Sequence, residues 1–152
     1  MDDEAGFTLI EIICVLAIVG LLAAVALPAF PRGTSRARLE GYAVDIAALL
    51  KGDRYAAIRT HTPVATALNA QNRFVRSGAN GGGVQLPGDV AFDAILAQRC
   101  GERRAGATID FFPSGMSCGG TIALSRQGIG FQIRVNWLTG GVEIVPVDKP
   151  QG

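Results

Sequence analysis

The sequence predicts an α+β fold in which a long amino-terminal helix packs on antiparallel β-sheets, and three observations carry that prediction. Phe7 to Leu27 is an apolar run of 21 residues with Glu11 as its one charged member. Between Leu39 and Ala57, apolar residues recur at three- and four-residue spacings. The last forty residues alternate apolar and polar side chains between glycine-bearing turns. With 152 residues the chain can build one modest core. Its 49% hydrophobic and 18% charged content excludes a disordered chain. A formal net charge of +1 lacks the dense basic field usual in nucleic-acid binders.

The apolar run comes first. As a helix, 21 residues rise about 31 Å, close to the hydrocarbon thickness of a bilayer. A domain built from the rest of the chain has little interior in which to hide a helix of that length that is apolar all round. A secretory signal would need a basic leader and an uninterrupted apolar stretch. Ala24-Val25-Ala26 could serve as a cleavage site, but Asp2, Asp3 and Glu4 make the leader acidic and Glu11 breaks the stretch. Cys14 follows Ile12-Ile13, not the small residues of a lipoprotein signal. The run therefore reads as a retained membrane anchor.

Gly6-Phe7-Thr8-Leu9-Ile10-Glu11, then sixteen uncharged residues and Pro28, resembles the start of type IV pilins and type II secretion pseudopilins. The resemblance implies a type IV pilin-like fold. It also implies a prepilin peptidase that cuts between Gly6 and Phe7 and methylates the freed Phe7 amine. A carboxylate in the apolar part of a membrane helix costs about 2.5 to 3.5 kcal/mol on insertion scales, so Glu11 needs a partner. Four residues past Phe7, one helical turn along the same face, it could reach its own amine or that of a neighbouring copy. The resemblance assigns it to the neighbour's amine during filament assembly. Charge bias alone, with Arg32, Arg36 and Arg38 following the run, would put the bulk of the chain in the cytoplasm. The resemblance implies the opposite, a periplasmic domain on a single-pass inner-membrane anchor.

Pro28 and Pro31 end or kink that helix. Thr34 or Ser35 could cap the next. Leu39, Tyr42, Ala43, Ile46, Leu49, Leu50 and Ala57 then form the apolar face of an amphipathic helix, with Arg38, Glu40, Asp45, Lys51 and Arg54 among them. The expected organisation is a leader over 1–6, a transmembrane helix over 7–29, its amphipathic continuation over 30–60 and a β-rich domain over 61–152. Extended segments are expected at 63–68, 73–76, 84–86 and 90–94. The clearest strands are 108–112, 121–125, 131–137 and 142–147, joined as hairpins by turns at Ser114-Gly115, Gln127-Gly128 and Thr139-Gly140-Gly141.

Phe111-Phe112-Pro113-Ser114-Gly115, Gly119-Gly120-Thr121-Ile122, Gly130-Phe131, Val135 and Thr139-Gly140-Gly141-Val142 resemble the carboxy-terminal signature of H-type minor pseudopilins and FimT minor pilins. That resemblance implies a minor subunit near the tip of the type II secretion pseudopilus, which helps export folded proteins. The expected partners are the major pseudopilin, minor pseudopilins I, J and K, the prepilin peptidase and the inner-membrane assembly platform. The alternative is a FimT-like minor pilin of a type IV pilus that binds DNA for uptake. Arg99, Arg103, Arg104, Arg126 and Arg134 could supply a basic face for it, but nothing in the sequence gathers them. Nucleic acid is not expected as a partner.

Catalytic residues, cofactors and metals are not expected. His61 stands alone beside Thr60, Thr62 and Pro63, as an exposed loop residue would. Ser114-Gly115 lacks a G-x-S-x-G context, and Gly81-Gly82-Gly83 lacks the lysine and helix of a phosphate loop. Asp89 and Asp93 read as solvated turn residues. Cys100 and Cys118 have no close-spaced partner for zinc. In the periplasm they could form a bridge closing a loop worth about 3 kcal/mol in the chain-entropy model. Two free buried thiols are the alternative.

Overall fold

The computed structural model describes residues 6–26 and 33–148. The chain divides into two compact units, one ending at Arg32 and one beginning at Gly33.

The first unit carries α1, Leu9–Ala26. The Thr8 carbonyl accepts from the amides of Glu11 and Ile12 at 3.0 and 3.3 Å, which opens the helix, and Glu11 places its charge in the first turn. A negative charge there suits the helix dipole. The helix begins at Leu9, so Phe7 precedes it, with its nitrogen still joined to Gly6. The 18 residues of α1 rise about 27 Å. Among the described residues no helix is long and apolar enough to cross a membrane. The expected span of 7–29 runs beyond α1, and Pro28, Pro31 and the leader up to Ala5 lie outside the described residues.

In the second unit, α2 runs from Arg36 to Thr60. Ser35 caps it, its hydroxyl accepting from the Arg38 amide at 3.3 Å. His61 closes it in a left-handed conformation, φ 55°. This backbone role was not visible in the residue's isolation. Leu39, Ala43, Ile46, Ala47, Leu50 and Ala57 are buried on one face, and Tyr42 and Leu49 pack at its margin.

Two antiparallel four-stranded sheets share that face. One has the order β3-β2-β1-β7, with β1 Val64–Asn69, β2 Phe74–Arg76, β3 Gly83–Gln85 and β7 Thr108–Phe111. The other has the order β10-β9-β8-β4, with β4 Ala91–Leu96, β8 Gly120–Arg126, β9 Ile129–Val135 and β10 Val142–Asp148. Between the sheets in sequence lies a short hairpin of β5 Arg99–Cys100 and β6 Arg103–Arg104. Strictly alternating burial along β1 turns Val64, Thr66 and Leu68 inward. Ile109, Phe111 and Val75 from the first sheet and Ile122, Leu124, Phe131, Ile133 and Val135 from the second join α2 in one core.

The eight expected strands appear, but one connection differs. Ser114-Gly115 does not turn a hairpin. β7 pairs with β1, residue Val64 opposite Phe111, whereas β8 pairs with β9 and β4. The chain therefore changes sheets between Phe111 and Gly120, keeping a single bridge from Phe111 to Ser117. The cause is burial: Phe111 and Ile109 point into the core from the β1 side, and a local hairpin would not place them there.

Asp53 lies on the apolar face of the later half of α2, with 1% exposure. The Thr66 hydroxyl donates to it at 2.6 Å and the Ser77 hydroxyl at 2.5 Å, while the Gly78 and Ala79 amides donate at 3.0 and 3.2 Å. One carboxylate thus fastens α2 to β1 and to the turn between β2 and β3. A buried carboxylate is tolerable only when so satisfied. Replacing Asp53 by Ala strands two hydroxyls and two amides, and a loss of about 3 kcal/mol is expected in urea unfolding of the globular unit. A loss under about 1 kcal/mol would show that water takes over those donors at little cost.

Candidate functional site

The amino-terminal motif and the globular unit raise separate functional questions. Every described side chain from Gly6 to Ala24 is exposed. Phe7 stands at 80% exposure and Leu9 at 82%, and the aliphatic residues of α1 from Ile10 to Leu22 lie between 49% and 70%. The described residues thus leave the helix uncovered on all sides. A surface of this kind demands lipid or protein around it. Glu11 is exposed on the same helix, and Cys14 is a free thiol there.

At the other end, Gly33, Thr34 and Asp89 build the start of the globular unit. The Thr34 amide and hydroxyl donate to the Asp89 carboxylate at 2.8 and 2.9 Å. Arg126 Nε pairs with the same carboxylate at 2.8 Å, and its Nη1 donates to the Thr34 carbonyl at 2.7 Å. A Cβ on Gly33 would fall on the Arg126 guanidinium, so a larger residue there would push that side chain out of the clamp. Asp89 lies in an exposed turn, as expected, and from there it also anchors the entry to α2. The Thr34 amide, then its hydroxyl, and the Arg126 charge hold its carboxyl below the usual carboxylate value, against desolvation. Asp93 lies exposed on β4.

The glycines of the carboxy-terminal signature meet α2 from the far side. Gly115, φ 84°, offers its carbonyl to Arg54 Nε at 3.0 Å. A Cβ on Gly140, φ 64°, would fall on that same carbonyl oxygen. Two turns, 25 residues apart in sequence, thus close on one helical arginine. They are structural, and their residue types follow from backbone approach.

Of the five arginines considered for a basic face, Arg99, Arg103 and Arg104 share the β5–β6 hairpin, where Arg99 is paired with Arg104. Arg126 is held in the Asp89 clamp, and Arg134 donates to Gln132 Oε1 at 2.9 and 3.2 Å. Cys100 and Cys118 are joined, with Cα atoms 5.4 Å apart. Asp110 stands beside them, its ligand oxygen and the two sulfurs all within 4.8 Å of one another. Spacing in the sequence gave no sign of this third member.

Residues 1–27 match the family model described as the prokaryotic N-terminal methylation motif. Over 146 residues the chain is 31% identical to the type II secretion system protein H of Xanthomonas campestris pv. campestris, covering 95% of this chain and 85% of that protein. The minor pseudopilin EpsH from the type 2 secretion system of Vibrio cholerae shares its fold with a TM-score of 0.56, over 71% of this chain and 96% of that one, at 11% identity. The type IV minor pilin FimU of Pseudomonas aeruginosa does so with a TM-score of 0.55, over 78% and 97%, at 18% identity. Fold and amino-terminal motif together define the class of type IV pilin-like proteins. Within that class, the chain belongs to the type II secretion system protein H family, the H-type minor pseudopilins.

The clamp at Asp89 titrates in a defined direction. A carboxyl whose native pKa is depressed contributes stability above its unfolded value, near about 4, and loses it as pH falls through the native value. For Asp89→Asn, the deficit relative to wild type is expected to be full at neutral pH and to shrink only in the acid range. Urea melts from neutral to about pH 2 check this. A deficit that does not change with pH would mean that the charge on Asp89 is not what holds Thr34.

Proposed function

We propose that this chain is a structural subunit of the type II secretion pseudopilus, placed near the tip with the major pseudopilin and minor pseudopilins I, J and K. Prepilin peptidase cleaves it between Gly6 and Phe7 and methylates Phe7. Residues 7–29 hold the subunit in the inner membrane with the globular unit in the periplasm. Membership of the protein H family supports this reading, and the observation that carries it is the uncovered helix α1 with one acid in its first turn. Such a helix has two stable surroundings, lipid before assembly and neighbouring helices after it. The assembly platform extracts the subunit and adds it to a filament that pushes folded substrates outward. The work is mechanical, and no step calls for a catalytic residue.

Glu11 sets the balance between the two surroundings. In lipid its carboxylate is a cost, and in the filament the amine of a neighbouring Phe7 offsets it. Glu11→Ala removes both the cost and the contact. About 3 kcal/mol then shifts toward the membrane pool, roughly a hundredfold in the ratio of assembled to stored subunit. Cleavage and insertion are expected to stay normal, while cross-linking recovers the variant from the pseudopilus at a small fraction of the wild-type level. Recovery at the wild-type level would remove Glu11 from assembly.

A DNA-binding pilin would need a continuous basic face. Of the five arginines weighed for such a face, Arg126 and Arg134 are held by neighbours and the other three sit on one small hairpin. A gel shift with this unit is expected to show no complex at low salt. A complex that weakens steeply with salt would favour the pilus reading instead.

A further inference from the structure

The meeting of Cys100, Asp110 and Cys118 is unexplained by filament assembly. Cys100 ends β5, Asp110 lies on β7 and Cys118 precedes β8, so three segments bring them together. All three are half-buried. The backbone holds part of the arrangement independently of the bridge, since the Cys118 amide donates to the Asp110 carbonyl at 3.0 Å. Asp110 Oδ1 is buried and has no hydrogen-bond partner. A disulfide has no proton to give it, and a buried acceptor left without a donor or a cation is costly.

The geometry points to a second state of this locus: before the bridge forms, the Cys100 and Cys118 thiolates and the Asp110 carboxylate bind a zinc ion. Two thiolates and a carboxylate are a donor set that Zn²⁺ takes readily, with water in the fourth position. On binding, each thiol loses its proton to solvent, two Zn–S bonds and one Zn–O bond form, and the Asp110 carboxylate gains a cationic partner. Closing the bridge requires the metal to leave. The two thiolates then give up two electrons to a disulfide-bearing oxidant, forming the S–S bond and leaving that oxidant as a dithiol. Zinc and bridge are therefore mutually exclusive. A chain that arrives reduced can be held in its folded arrangement by metal until oxidation replaces it.

The test uses the full chain in detergent micelles carrying Cys14→Ala, so that Cys100 and Cys118 are the sole thiols. After reduction with a phosphine and removal of the reductant without air, Co²⁺ is titrated as a spectroscopic probe. One equivalent is expected to give thiolate-to-cobalt charge-transfer and tetrahedral d–d bands, and Zn²⁺ to displace it. The oxidised protein is expected to give neither band. Zinc is expected to slow re-formation of the bridge, followed by thiol labelling. Asp110→Asn is expected to weaken binding by about tenfold or more. Its ability to form the bridge, read by mass before reduction, confirms that the variant still brings the two cysteines together. Reduced protein that binds Co²⁺ no more tightly than Cys100→Ser/Cys118→Ser overturns the site. Equal affinity in Asp110→Asn overturns the carboxylate's part, and with it the three-ligand site.

Discussion

Neither of the two small sheets can bury its own apolar face, and both depend on one helix to do so. That shared face of α2, from Leu39 to Ala57, is the constraint around which the globular unit is organised. Each sheet contributes inward residues to a single core, and removing the helix would leave two exposed four-stranded layers. The change of sheet after Phe111 follows from the same need. A chain that built one sheet to completion and then the other would not have to place β1 and β7 side by side. Here the first sheet is finished only when β7 returns to β1, after β4 has already entered the second.

Apolar burial gives the core its stability, but three polar fastenings fix how α2 lies on the sheets. Asp53 ties its later half to β1 and the β2–β3 turn. The Asp89 and Arg126 clamp ties its start to the second sheet through Thr34. Arg54 ties its later half to the turns at Gly115 and Gly140. A hydrophobic face alone would tolerate sliding or rotation of the helix. Directional hydrogen bonds from three places do not, because each is made at one setting of the helix, and at Asp53 an unmade bond would also strand a buried group.

The amino-terminal unit obeys an opposite logic. The globular unit hides its apolar surface internally, whereas α1 leaves its apolar surface for something else to cover. A subunit stored in a membrane and later packed in a filament needs such a helix, since a helix satisfied within its own chain would have no reason to exchange lipid for neighbours. In the assembly proposed above, the carboxylate of Glu11 would bias that exchange, since a charge is cheaper near a cation than in hydrocarbon.

What the residues determined by themselves is local and periodic. The apolar run, the G-F-T-L-I-E motif, the three- and four-residue rhythm of α2, the Ser35 cap and the alternation of eight strands are all written between near neighbours, where helix and strand geometry impose their own repeats. β5 and β6 escaped notice because two residues cannot display a period. Only the tertiary structure decided the rest: that β7 returns to β1, that Asp53 is a buried fastening and the exposed Asp89 a clamp on Thr34, that glycines of two turns converge on Arg54, and that Asp110 meets two cysteines carried by other segments. Apart from those of Asp110, ten and eight positions from its two cysteines, these contacts link residues from 13 to 92 positions apart. Nothing local distinguishes an aspartate facing water from one facing four donors, because its surroundings are supplied by segments that reach it only when the core closes.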